Sequence, residues 1–332
     1  MKNLAHAGDR DMVEHLRRVK EEVMTEIGKV IVGQRSVIEL LLLSLFSSGH
    51  SLFVGVPGLA KTLLVSTLSQ VLSLKFSRVQ FTPDLMPSDI TGSEVLDLDP
   101  DTGRRFFRFI PGPVFCNILL ADEINRSSPK TQAALLQAMQ ERRVTAGGKT
   151  YDLPLPFLVF ATQNPIEQEG TYPLPEAELD RFMFQIEVDY PSLHEEIEIV
   201  RGAGLLPSQK PRAVLGSEEI LAFQALSARV PVPDHVAEYA VRIVRATRPR
   251  GEDSPQEVKK WVSWGVGPRA SQFLVAASKA RAVLEGRYAP EREDVKALAP
   301  SILRHRLVLN FKAQAEGVRA EDVINLVLGH VG

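Results

Sequence analysis

Eight consecutive residues carry the clearest chemical signal: Gly55, Val56, Pro57, Gly58, Leu59, Ala60, Lys61 and Thr62, with Leu63 following. The first glycine, the lysine and the threonine match the spacing of a phosphate-binding loop. In such a loop, backbone N–H groups at a helix N-terminus surround phosphate oxygens. Lys61 would reach the β- and γ-phosphates of ATP, and the Thr62 hydroxyl would ligate Mg²⁺. Ala60 stands where the general pattern has its second glycine, which is tolerable if its φ is negative, as expected on entering a helix. Taken alone, the segment also fits an ordinary glycine-rich strand-to-helix turn.

A second pattern weakens that alternative. Residues 118–121 (ILLA) are apolar and end in Asp122 and Glu123, the arrangement of a buried strand whose carboxyl end meets a ligand crevice. Asp122 would hold Mg²⁺ through water, and Glu123 would polarise the attacking water. A solvated acidic turn is the competing interpretation. Another apolar run, residues 157–162, leads to Asn164, which could position that water against the γ-phosphate. The pair Asn164-Pro165 is equally a simple turn signal. Arg181 and Arg269 stand out only within the strings LDRF and GPRA. Spacing assigns neither a role.

These residues need a frame. Candidate strands at residues 50–54, 77–81, 117–121, 157–162 and 184–188 alternate with helical patterns such as residues 61–72 and 129–142. Near-continuous apolar strands alternating with helices indicate a parallel five-stranded sheet covered on both faces, an α/β fold. Residues 92–115 and 144–153 interrupt the rhythm. The first surrounds the turn Asp99-Pro100-Asp101-Thr102-Gly103 and the second surrounds Gly147-Gly148, so both are expected to be β-hairpins projecting from the core. Beyond Tyr190-Pro191 the periodicity is helical, at residues 193–201, 218–229, 234–246, 269–284, 293–298 and 320–328. The expected division is a nucleotide-binding core at 1–189 with an N-terminal helix, and an all-helical unit at 190–332.

The order of these motifs resembles the AAA+ ATPases and, among them, the MoxR family. GVPGLAKT is similar to that family's phosphate loop, in which alanine commonly precedes the lysine, and LLADEINR to its acidic motif. The resemblance runs from Val32-Gly33-Gln34 to the C-terminus. It implies a water-sensing role for Asn164, an arginine-finger role for Arg181 at a neighbouring subunit's nucleotide, and a second sensor role for Arg269. Within one subunit, Lys61 and Arg269 are then the only cations expected near the γ-phosphate. The resemblance further implies a homo-oligomeric ring, commonly a hexamer, a von Willebrand factor A domain partner and a protein client. Turnover would drive chaperone-like remodelling or maturation, extending to metal-cofactor insertion.

Bulk properties narrow the alternatives. With 332 residues, 44% hydrophobic and 24% charged, the chain can fill a substantial core. A formal net charge of −2 gives no global attraction to nucleic acid or anionic membrane, although Arg104, Arg105, Phe106, Phe107 and Arg108 mix basic and aromatic residues as single-strand binders do. A motor acting on DNA or in transcription activation is therefore the alternative class. Cys116 is the single cysteine, expected to be buried and inert, so no disulfide forms within one chain. The N-terminus is charged and lacks a signal peptide's apolar stretch. No apolar run is long enough to span a bilayer, and a cytoplasmic location is expected.

Overall fold

The computed structural model describes residues 8–101, 103–165, 170–202 and 210–332. Helices α1 (Asp9–Gly28) and α2 (Arg35–Phe46) precede β1 (Ser51–Val54), and α3 (Lys61–Val71) leads to β2 (Phe76–Gln80). A short α4 (Pro87–Thr91) opens the hairpin of β3 (Gly92–Leu98) and β4 (Arg105–Pro111). Then come β5 (Ile118–Asp122), α5 (Pro129–Glu141), a second hairpin of β6 (Arg143–Ala146) and β7 (Lys149–Asp152), β8 (Leu158–Gln163), α6 (Glu176–Leu179) and β9 (Phe184–Glu187). The remainder contains α7 (Leu193–Gly202), α8 (Ser217–Arg229), α9 (Asp234–Ala246), α10 (Gln256–Trp261), β10 (Val262–Trp264), α11 (Pro268–Leu284), α12 (Arg292–Leu303), β11 (Val308–Leu309), α13 (Phe311–Ala315) and α14 (Ala320–Val331).

Five strands form one parallel sheet in the order β2-β5-β8-β1-β9. Side chains alternate across a strand, so each apolar run feeds two cores at once. Phe53, Leu120, Phe160, Phe184 and Ile186 face a cluster completed by α1, α2, α3 and the C-terminal helices. Leu52, Leu119, Ala121, Val159 and Ala161 face a second cluster built with Leu135, Leu136 and Met139 of α5. Phe53 and Phe160 are essentially inaccessible, and truncating either to alanine is worth about 3–5 kcal/mol.

Both expected hairpins form. In the first, Val95 pairs with Arg108 and Leu96 with Phe107. Thr102 of its turn lies outside the described residues. In the second, Gly147 and Gly148 adopt φ of 56° and 75°, the pair of positive values a tight two-residue turn demands. The hairpins meet: Phe109 and Tyr151 stack with ring centroids 4.2 Å apart.

The C-terminal part is helical, as expected, with one addition. A small antiparallel ladder joins β10 to β11, too short to leave a periodic signal. Helices α1 and α2 do not sit apart from this region. Leu16 and Phe46 share one continuous apolar cluster with Phe223 of α8 and Leu274 of α11. Among the described residues, no helix is long and apolar enough to cross a membrane. Cys116 is buried, and burial pushes its thiol up to about 11, the inert state expected of it.

Candidate active site

The loop between β1 and α3 forms one wall of a cleft of about 450 Å³ at the carboxyl ends of the strands. Two of its glycines have separate reasons to be glycine. A side chain on Gly55 would lie 2.5 Å from the carbonyl oxygen of Val188. Gly58 has φ of 87°, a conformation that L side chains rarely adopt. The expectation for Ala60 is overturned: its φ is +54° and its ψ 21°, left-handed and not helical. The chain turns into α3 through a left-handed residue, and the small alanine side chain tolerates this at a cost of about 1–2 kcal/mol. Gln34 and Glu123, with φ of 53° and 55°, share this conformation. Such strain gathers at functional sites. Gln34 also donates to the Leu59 carbonyl at 3.3 Å, and its own side-chain oxygen is buried without a hydrogen-bond partner.

Lys61 is half-buried and its Nζ donates to the Gly55 carbonyl at 2.5 Å. Burial lowers its pKa from the usual lysine range, while the neighbouring Asp122 and Glu123 carboxylates oppose that shift. Thr62 and Asn164 line the same cleft, and Asn164 is buried at the end of β8.

The two acids emerge from β5 already engaged. The Thr162 hydroxyl donates to Asp122 Oδ1 at 2.6 Å and accepts from the Glu123 backbone N–H at 2.8 Å. One β8 side chain thereby holds both the Asp122 carboxylate and the Glu123 backbone. Arg78 pairs with Asp122 Oδ2 at 2.6 Å. Gln80 donates to Glu123 Oε2 at 2.7 Å, and Arg126 pairs with the same oxygen at 3.0 Å. Arg78, Gln80, Arg126 and Thr162 all escaped the sequence reading. The available signal was period two in β2, which puts Arg78 and Gln80 on one face. Their relevance depends on β2 lying beside β5, with Gln80 opposite Asp122. Arg78 shares the cleft with Lys61, whereas Arg269 does not line it.

Arg181 and Arg269 are not in this cleft. They line a smaller one, about 150 Å³, together with His50 and Phe273. His50 immediately precedes β1, whereas Gly55 follows it, so the two clefts open at opposite ends of the strands, roughly 16 Å apart along β1. Arg269 Nη1 pairs with Asp180 Oδ2 at 3.0 Å, next to Arg181 in the chain.

Two family models match the sequence: the ATPase family associated with various cellular activities (AAA) over residues 50–184, and the AAA lid domain over residues 256–327. The chain is 47% identical to the chaperone MoxR1 of Mycobacterium tuberculosis over 308 residues, covering 93% of this chain and 80% of that protein. It is 32% identical to protein MoxR of Methylorubrum extorquens, covering 92% of each. A crystal structure from Cytophaga hutchinsonii, of a protein named as a candidate ATPase, superimposes with a TM-score of 0.90 at 40% identity over 97% of both chains. The chain belongs to the MoxR family of AAA+ ATPases. As a MoxR ATPase it has an ATP-hydrolysing core and an AAA lid. Its cleft holds Lys61, Thr62, Thr162, Asn164 and two acids at the carboxyl end of β5, a set of side chains suited to a nucleotide triphosphate and its cation. Among the described residues of this MoxR chain, no three His, Cys, Asp or Glu side chains converge to hold a metal unaided.

Proposed function

We propose that this MoxR ATPase binds MgATP in the Lys61 cleft, hydrolyses it to ADP and phosphate, and uses turnover to remodel or mature a partner protein. The observation that carries the reading is the convergence of Lys61, Thr62, Asp122, Glu123 and Asn164 on one cleft, while Arg181 and Arg269 lie at the other end of the strands. The residues present fit the nucleotide. Gly55 lets the loop pack against the Val188 carbonyl, Gly58 leaves it open for backbone donors to face phosphate, and the buried, unpartnered Gln34 oxygen offers an acceptor beside that loop. Thr62 and Asp122 would hold Mg²⁺ with the phosphates, since magnesium prefers a few oxygen ligands shared with phosphate. Bound MgATP supplies the phosphoryl group and neutralises part of its charge. Lys61 would leave the Gly55 carbonyl to meet the β- and γ-phosphates. Glu123 would polarise water that Asn164 orients, once released from Gln80 and Arg126. Arg78 would yield Asp122 to the metal.

We place the boundary between the nucleotide-binding core and the helical lid at 189/190. Because Arg181 and Arg269 line a separate cleft at the other end of the strands, each would serve a neighbouring subunit's nucleotide, which calls for a ring, proposed to be a hexamer. The chaperone name of the mycobacterial relative supports a protein client, and the net charge of −2 favours protein over nucleic acid. A von Willebrand factor A domain partner and metal-cofactor insertion into the client are the finer form of this proposal, and the cytoplasm its location.

Complementation tests the trans arrangement. Arg181→Ala should abolish turnover while keeping its own cradle, and Lys61→Ala should abolish turnover while keeping its own arginine. Mixed under conditions of subunit exchange, the two inactive variants should regain activity, because some junctions combine a sound cradle with a sound arginine. Turnover per subunit should also rise with protein concentration. No rescue and concentration-independent turnover would place catalysis within one chain.

A further inference from the structure

Three consecutive residues after α12 grip the segment that carries Arg181. Arg304 pairs with Glu187 of β9. The His305 ring nitrogen Nε2 lies 3.0 Å from the Phe182 carbonyl. Arg306 makes the densest set. Its Nε donates to Asp180 Oδ1 at 2.8 Å, Nη2 donates to the carbonyls of Asp180 at 3.0 Å and Phe182 at 2.5 Å, and Nη1 donates to the Met183 carbonyl at 3.3 Å. The guanidinium lies 5.0 Å from the centroid of the Phe273 ring, which lines the arginine cleft.

The Arg306 side chain is 2% exposed. An isolated buried guanidinium would be costly, and this one is offset by a carboxylate and four carbonyls, the fourth being that of Ile302 one turn back. Asp180 is the pivot. Its Oδ1 accepts from Arg306 and its Oδ2 from Arg269, so one carboxylate ties both lid arginines to the residue preceding Arg181. The planar fork of arginine fits this geometry, and lysine could satisfy only part of it.

We infer that Arg306 is a positioning residue for catalysis. It locks the lid to the 180–183 segment, so that Arg181 and Arg269 are presented to the neighbouring subunit's nucleotide as one rigid pair. This rests on the trans reading above. It explains why so many hydrogen bonds are spent on a stretch outside the Lys61 cleft. Loss of Arg306 would leave the cradle intact and let the two guanidiniums drift, and a displacement of about 1 Å at a reacting centre can cost ~10²-fold in rate.

The test uses the full chain. Arg306→Met keeps the apolar stem over Phe273 and removes the fork. It should lower kcat by ~10²-fold while leaving ATP affinity within about twofold. Arg306→Lys should recover part of the rate. Mixing assigns the side of the junction. Arg306→Met should regain activity with Lys61→Ala, which supplies sound arginines, and should gain nothing with Arg181→Ala, which fails on the same side. Asp180→Asn, a milder change at the same pivot, should repeat the pattern and replaces Arg306→Met if that variant does not assemble. Unchanged kcat, or rescue by Arg181→Ala and not by Lys61→Ala, would overturn the inference. If Arg181→Ala and Lys61→Ala complement each other but Arg306→Met and Asp180→Asn complement neither, Arg306 is structural and the trans reading survives. If Arg181→Ala and Lys61→Ala fail to complement, the trans reading falls and this inference with it.

Discussion

Glu123 and Lys61 line the same cleft in different surroundings, and the separate roles proposed for them are measurable apart. Glu123 is held by Gln80 and Arg126 at 2.7 and 3.0 Å, aimed by its backbone bond to Thr162. In the proposed mechanism its carboxylate would act on water and not on the phosphate grip. Glu123→Gln should therefore keep ATP affinity within a few-fold while turnover falls by at least about 10²-fold, the usual worth of a general base. Lys61 is a half-buried cation against the loop it would serve. Lys61→Ala should weaken binding itself by about 1.5–3 kcal/mol, the range for a hydrogen bond to a charged group. Nucleotide titration and phosphate release on both variants separate the two roles. A Glu123→Gln protein hydrolysing ATP at the wild-type rate would remove Glu123 from the chemistry.

At the scale of elements, the turn from β1 into α3 carries a strain that can be read directly. Ala60 caps α3 in the left-handed region with φ of 54°. Relief of that conformation by glycine is worth about 1–2 kcal/mol, set against the ~0.5–1 kcal/mol that glycine loses in chain entropy. Ala60→Gly should thus stabilise the protein by roughly 0.5–1 kcal/mol, measured by denaturant unfolding. Had Ala60 been helical, the same substitution would destabilise it by a similar amount, so the sign of the change is decisive. The two hairpins are elements of another kind, anchored to each other through Phe109 and Tyr151 while Leu96, Leu98 and Phe107 remain exposed.

For the whole molecule, buried histidines set the response to acid. His50 sits between helix α5 and the sheet, accepting from the Val159 N–H at Nδ1 with its Nε2 at 3.2 Å from the Met139 carbonyl. Burial lowers its pKa to about 4, and protonation of Nδ1 would set two donors against each other. His305 is shifted the same way, also through burial. Below pH 6.5 the unfolded chain takes up protons that folded His50 refuses until about pH 4, so stability is intact above that window and falls as pH drops through it. Between pH 7 and 5 His50 alone should cost about 2 kcal/mol. His50→Asn keeps an acceptor for Val159, and the pH 7-to-5 loss on unfolding should shrink by that amount. An unchanged loss would mean that folded His50 takes up its proton over the same pH range as in the unfolded chain.

What the sequence determined alone was local. The phosphate-loop pattern, the acids Asp122 and Glu123 and Asn164 each sit at the end of an apolar run, and such runs become strands whose carboxyl ends gather ligand residues. Both hairpins were equally legible, because turn chemistry is a matter of a few adjacent residues. The five-stranded parallel sheet and the helical character after Tyr190 followed from periodicity alone. Only the tertiary structure decided the strand order β2-β5-β8-β1-β9, and with it the placement of Arg78 and Gln80 against Asp122 and Glu123. It also decided the left-handed turn at Ala60, the sharing of Asp180 between Arg269 and Arg306, and the placement of Arg181 and Arg269 in a cleft other than that of Lys61. The reason is the range of the forces involved. A motif is held by neighbours in the chain, whereas strand pairing and helix docking are chosen by hydrogen bonds and apolar contacts between segments far apart in sequence, such as residues 180 and 306.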